Sequence, residues 1–170
     1  MNYYREEQRF QQPWIWGPLI LFGIGTTGLV GYTMVKQLAF GQPVGDRPMS
    51  DTALAFVGPL ILLVVWGTCL LFVVLKLVVE VREDAIAIQF RPFLRRDVGF
   101  GDIVRCEART YRPIREYGGW GIRFGRNGTA YNVSGNRGVQ LELANGKRLL
   151  LGSQRADELA GAIQAQMKRP

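Results

Sequence analysis

The sequence predicts a membrane protein of the α+β class, in which a two-helix transmembrane hairpin is followed by an antiparallel β-barrel or sandwich with a C-terminal capping helix. Three observations predict it. Residues 53–75 carry no charged side chain, and at about 1.5 Å rise per residue they reach about 35 Å, enough to cross a hydrocarbon core of about 30 Å. From about Leu77 the continuous apolar run gives way to period-two alternation, which is strand behaviour. In the last stretch, about 154–168, Ala156, Leu159, Ala160, Ile163 and Met167 fall on one face of a helix.

Charge divides the chain in two. In residues 1–80, Arg5, Arg9, Lys36, Arg47 and Lys76 are balanced by Glu6, Glu7, Asp46, Asp51 and Glu80, so the whole formal net charge of +7 sits in residues 81–170. A basic domain directly after a membrane span finds its nearest counter-charge in anionic phospholipid headgroups, worth about 1 kcal/mol per well-placed Lys or Arg. Nucleic acid is the less economical counter-charge, and no nucleic-acid partner is expected. The chain has no His and two Cys, Cys69 and Cys106, far apart in sequence. That excludes a zinc site or a Cys-His dyad and predicts two buried, reduced thiols, with no metal and no cofactor.

The first 13 residues are polar with mixed charge and are expected as a cytoplasmic N-terminal segment. The uncharged stretch 10–35 is too long for a signal-peptide core and predicts a first retained span over about 14–35. Pro13 suits its first turn, and Trp14 and Trp16 stand where an aromatic belt meets the headgroups. Within it, Gly23, Thr27 and Gly31 at four-residue spacing line one face with small side chains, a packing seam for the second span or for another subunit. Trp66, too deep in the second span for a belt, is expected in that groove. The connector 36–52, with Gly41, Pro43, Gly45 and Pro48, lets the chain reverse, and Ser50 and Asp51 offer an N-cap to the span 53–75.

A hairpin puts both termini on one side of the membrane. Lys36 and Arg47 flank the connector, against Arg5, Arg9, Lys76, Arg82, Arg91, Arg95 and Arg96 on the other side. The positive-inside rule then predicts a multi-pass protein of the inner (plasma) membrane with both termini cytoplasmic. The hairpin is assigned to 14–77 and the cytoplasmic domain to 78–170.

In that domain Ile86, Ile88 and Phe90 alternate with Ala85, Ala87 and Gln89. A turn at Arg82, Glu83 and Asp84 precedes them, and Val98 to Phe100 and then Val104, Cys106 and Ala108 continue the pattern. Residues 111–119 read as a loop, after which Trp120, Ile122 and Phe124 share a face. Asn127-Gly128 and Asn145-Gly146 are two-residue hairpin signals of type I′, and Val139, Leu141 and Leu143 lead into the second of them. Ser153 is placed to cap the final helix.

Gly119-Trp120-Gly121-Ile122-Arg123, Tyr131, Gly138-Val139-Gln140-Leu141, Gly146, Leu151-Gly152-Ser153 and Asp157-Glu158-Leu159 resemble the closing part of bacterial pleckstrin-homology-like (PH-like) domain membrane proteins. The resemblance implies a PH-like fold and a membrane-associated role rather than an activity. Eukaryotic relatives of the fold hold phosphoinositide headgroups with basic residues of the first strand-to-strand loop. Here that loop would be Arg82-Glu83-Asp84, one cation beside two carboxylates, which counts against a phosphoinositide receptor.

The densest functional candidate is Arg91, Arg95, Arg96, Arg105, Arg109, Arg112 and Arg115. The preference for Arg favours bidentate contact with phosphate or carboxylate. It reads either as a lipid- or partner-binding surface or as a solvated face with internal pairs such as Arg96–Asp97 and Arg115–Glu116. The 115–121 loop, with Trp120, reads as a recognition edge or as a tight turn served by Gly118 and Gly119. Asp97, Asp102 and Glu107 have only sequence proximity to suggest a paired-carboxylate site, and Gly101 and Gly125 to Gly128 lack the context of a nucleotide loop. The expected function is a non-enzymatic integral membrane protein presenting a basic domain for protein–protein interaction or homo-oligomerisation. The alternatives are an accessory subunit of a larger membrane enzyme or transporter, and an anionic-lipid-binding module.

Overall fold

The computed structural model describes residues 3–125 and 128–168. They divide into an apolar helical unit, Gln11–Val73, and a second unit made of the residues up to Phe10 together with those from Val74 onward.

In the helical unit, α1 (Pro13–Met34) continues through a π-helical turn, Val35–Ala39, and α2 (Asp51–Val74) follows the connector. Pro13 occupies the first turn of α1, and Ser50 Oγ accepts from Ala53 N at 3.3 Å at the start of α2. Both helices are long and apolar enough to cross a membrane. Large side chains such as Leu21, Phe22, Phe56 and Leu63 point outward, an arrangement that water disfavours and hydrocarbon does not.

The helices meet along a seam that departs from the expected Gly23, Thr27, Gly31 row. Trp66 Nε1 donates to Thr27 Oγ1 at 3.0 Å, and a Cβ at Gly23 would stand 3.5 Å from the Trp66 ring. Farther along, Val30 and Met34 close over Gly58, where a Cβ would come within 2.6 Å of Met34 Sδ. Gln37 Nε2 then donates to Met49 O at 2.6 Å and to Asp51 Oδ1 at 2.8 Å. Partners on α2 run backward as those on α1 run forward, so the pair is antiparallel. Nothing lies within 4 Å of a Cβ at Gly31. Alternating steps of four and three stay near the helical repeat of about 3.6, whereas two successive steps of four drift about 80° around the axis.

The second unit holds two sheets. The first has the antiparallel order β1 (Tyr4–Arg9), β2 (Lys76–Val81), β3 (Ala85–Arg91), β4 (Leu94–Gly99). The N-terminal segment, expected as a separate polar stretch, is thus an edge strand whose Tyr4, Glu6 and Gln8 are buried while Arg5, Glu7 and Arg9 are exposed. The second sheet contains β5 (Ile103–Thr110), β6 (Gly121–Gly125), β7 (Gly128–Asn132), β8 (Arg137–Leu143) and β9 (Arg148–Gly152), in the order β5-β8-β9-β7-β6.

Among the described residues the strands close no barrel, and the sheets are not wholly antiparallel. β9 inserts between β8 and β7, and because each of these strands reverses the direction of the one before, β7 and β9 pair in parallel. The segment expected as a loop contains a short helix, α3 (Pro113–Tyr117), ended by Gly118 at φ 73°. Gly118 and Gly119 donate to Ile114 O and Pro113 O, so these glycines serve a helix C-terminus. α3 covers the outer side of the second sheet with a cluster of Tyr111, Tyr117, Ala130 and Leu150.

The final helix, α4 (Ala156–Met167), buries Ala156, Leu159, Ala160 and Ile163 of the expected face and packs on β5 and β8, while Met167 is only half-buried and Gln166 is buried instead. Ser153 does not cap it. Its Oγ accepts instead from Arg155 N in the turn before, at 3.0 Å. The Asn145-Gly146 turn also differs from type I′. No non-glycine residue there has positive φ, Gly146 N donates to Leu143 O at 2.8 Å, and Gly146 itself is left-handed at φ 77°. This is a type I turn followed by a left-handed glycine, the usual three-residue hairpin. In the other signal Asn127 lies outside the described residues, and Gly128 opens β7.

Candidate functional site

The structure distributes the predicted arginines over separate elements. Arg91 ends β3 and is braced by Gln89 Oε1 at 2.9 and 2.7 Å. Arg95 and Arg96 occupy opposite faces of β4, and Arg95 Nε lies 3.9 Å from Asp97. Arg105, exposed on β5, pairs with Glu107 at 2.7 Å. Arg112 and Arg115 flank and form α3, both exposed. Trp120 donates through Nε1 to Gly135 O at 3.0 Å, which pins the loop that precedes β6.

Pairing therefore exists but with other partners than the sequence suggests. Asp97 faces Arg95 rather than Arg96, and Glu116 takes Arg109 rather than Arg115. Arg109 donates to Gln140 Oε1 at 3.1 Å, to Glu116 Oε2 at 2.9 Å and to the Tyr117 hydroxyl at 3.4 Å. Burial disfavours its charge, but the Glu116 carboxylate and Tyr117 more than offset this, so its pKa rises above the ordinary value. Arg109 is thus a clasp holding α3 on the sheet. The three carboxylates considered for catalysis separate: Glu107 shares a shallow cleft with Arg109, Gln140, Glu142 and Arg148, whereas Asp97 and Asp102 border another beside Asn145. Among the described residues no cluster of acidic or thiol groups is arranged to hold a metal.

The densest polar node is one the sequence reading missed. The buried Glu6 carboxylate accepts from the Tyr4 hydroxyl and from Ser153 Oγ, each at 2.5 Å, from Gln154 N at 2.8 Å and from Gln8 Nε2 at 3.0 Å. Gln8 Nε2 also donates to Gly152 O at 2.8 Å, and the Arg155 guanidinium lies over the Tyr4 ring, 4.9 Å from its centroid. β1 is thereby fastened to the junction of β9 and α4. The available sequence signal is the alternation of Arg5, Glu7 and Arg9 with Tyr4, Glu6 and Gln8, obscured because two of the inward residues are polar.

Several groups hold their protons unusually tightly. Burial pushes the Tyr4 phenol up to about 12, with its bond to Glu6 adding to the effect. Burial, then the charge of Glu107, pushes the Cys106 thiol up to about 12. Burial also raises Tyr111 and Tyr117. In the unfolded chain thiols release protons near pH 8.5 and phenols near 10. The native state keeps them longer, so this stabilisation is complete below those values and is lost as pH rises toward about 12. The melting temperature is expected to fall progressively from about pH 9 to 11, less steeply in a Tyr4→Phe/Cys106→Ala variant. A flat profile over that window contradicts this.

Comparison of the chain with protein-family models, with curated proteins and with solved structures finds no match in any of the three.

Proposed function

We propose that this protein is a non-enzymatic, membrane-anchored interaction module. A two-helix hairpin integral to the inner (plasma) membrane holds a PH-like domain at the cytoplasmic face, where the domain engages protein partners or a second copy of the chain. One observation carries the hairpin topology. β1 precedes the apolar segment and β2 follows it, and the two zip together from Tyr4 opposite Val81 to Arg9 opposite Lys76. Both flanks of the apolar segment thus belong to one folded body, which supports an even number of crossings with both termini on one side. The excess of Arg on that side supports a cytoplasmic location.

Partner binding is supported by β6, an edge strand whose Phe124 is 81% exposed. An edge strand beside an exposed aromatic side chain suits strand addition. The open surface at Gly25, Gly28 and Gly31, with nothing within 4 Å of a Cβ at any of them, supports the second reading, an accessory subunit that docks another membrane helix.

The test combines labelling with purification. In spheroplasts, Gln42→Cys in the connector reacts with a membrane-impermeant maleimide, and Glu83→Cys reacts only after permeabilisation. Both native thiols are buried and stay unlabelled. Reaction of Glu83→Cys in intact spheroplasts overturns the orientation. Release of the chain by alkaline carbonate overturns the anchor. Purification in mild detergent then separates self-assembly from capture of a stoichiometric larger membrane protein, the accessory-subunit outcome.

A further inference from the structure

Strand register sorts the charges on one face of the four-stranded sheet, the face on which Arg5, Glu7 and Arg9 are exposed, into rows that chain order conceals. Arg9, Lys76 and Arg91 lie directly opposite one another across β1, β2 and β3. Two positions along the same face, Glu7, Val78, Gln89 and Arg95 form the next row, and Arg5, Glu80, Ala87 and Asp97 the third. The first row is all cation, the second has one charge of each sign, and the third has one cation and two carboxylates. With strands about 4.8 Å apart, the first row gathers three cations within about 10 Å.

The local pairing leaves this end positive. Glu7 is shared by Arg9 at 2.8 Å and Lys76 at 3.1 Å, and Arg91 is braced by a neutral amide. One carboxylate therefore answers three cations, with Arg95, whose own partner Asp97 is a looser 3.9 Å away, close behind. The same end carries the β3–β4 turn, where Phe93 is 64% exposed. It is also the end at which β1 runs on toward Pro13 and β2 resumes after Val74, whereas the Arg82-Glu83-Asp84 turn lies at the opposite end of the strands.

We propose that this end of the sheet, Arg9, Lys76, Arg91 and Arg95 around Phe93, is a docking surface for the anionic phospholipid headgroups of the leaflet from which the hairpin emerges. The proposal rests on the membrane-anchored reading above. Lipid phosphates accept hydrogen bonds from the cations, and the Phe93 ring seats at the boundary between headgroup and acyl chain. A soluble anion would engage the cations but give the exposed ring no partner. A single row rather than an enclosed pocket suits a planar array of phosphates. The charge gradient down the face sets which end approaches the bilayer and turns the acid-rich row away from it.

The test uses the full chain, carrying an environment-sensitive fluorophore at Phe93→Cys or, as the opposite-end control, at Glu83→Cys. It is reconstituted in phosphatidylcholine vesicles with or without phosphatidylglycerol, and with a lipid quencher near the headgroup. Quenching at position 93 is expected to rise at least about twofold with phosphatidylglycerol. It should fall back in about 1 M salt, where the Debye length is about 3 Å, and in an Arg91→Gln/Arg95→Gln variant. Position 83 should stay unquenched. A chain that resists carbonate extraction, yet shows no anionic-lipid-dependent quenching at position 93, overturns this inference alone. A chain that carbonate releases overturns the anchored reading and this inference with it.

Discussion

Replacing residues 11–74 by a two-residue Asn-Gly turn, so that Phe10 leads directly back to Leu75, is expected to yield a soluble, folded domain. A fragment that simply begins at Val74 is expected to aggregate or remain unfolded. Arg9 already pairs with Lys76, so the neighbouring positions are placed for a tight hairpin turn. Without β1, β2 becomes a bare edge although Leu77, Val78, Val79 and Val81 on it are almost completely buried. Such an exposed apolar edge is an aggregation site. A fragment starting at residue 81 fares worse, since it loses β2 as well. Dispersed amide signals and a cooperative melt for the joined domain, and neither for the truncated one, are the expected readouts. Equal stability of the two would show that β1 is dispensable.

Glu6→Ala is expected to destabilise the same domain by about 3 to 5 kcal/mol, because it removes the common acceptor of several buried donors. The change takes an acceptor from four donors, on Tyr4, Gln8, Ser153 and Gln154, of which Gln8 Nε2 keeps its bond to Gly152 O. Each buried donor without an acceptor costs about 1 to 3 kcal/mol. Glu6→Gln keeps the volume but turns an amide NH2 toward donors, so it should recover little. Ser153→Ala removes one donor and leaves the carboxylate the other three, so it should cost least. Urea unfolding of the three variants checks the order. A Glu6→Ala domain within about 0.5 kcal/mol of its parent would show that the node does not hold β1.

Parts of this architecture are legible residue by residue. The two apolar helices follow from the length of uncharged chain, α4 from the spacing of Leu159, Ala160 and Ile163, and β3 from the alternation of Ile86, Ile88 and Phe90. Each is a local pattern that burial enforces wherever the segment packs. The candidate site is less legible. Arg95, Arg105 and Arg109 pair with carboxylates, but Arg95 chose Asp97 and Arg109 chose Glu116, because period-two alternation puts Arg95 and Asp97 on one face of β4 and the turn of α3 brings Glu116 to Arg109.

By itself the sequence determined that there are two spans' worth of apolar helix, a strand-rich basic region and a closing amphipathic helix. All of these depend on the periodicity of neighbouring residues. Only the tertiary structure decided that Tyr4 to Arg9 is a strand of the distant domain, that β7 and β9 run in parallel, and that Arg9, Lys76 and Arg91 form one row. Those features depend on which strand lies beside which. Strand order and register are set by the fit of side chains brought together from far along the chain, and a short segment read alone carries no record of that neighbour.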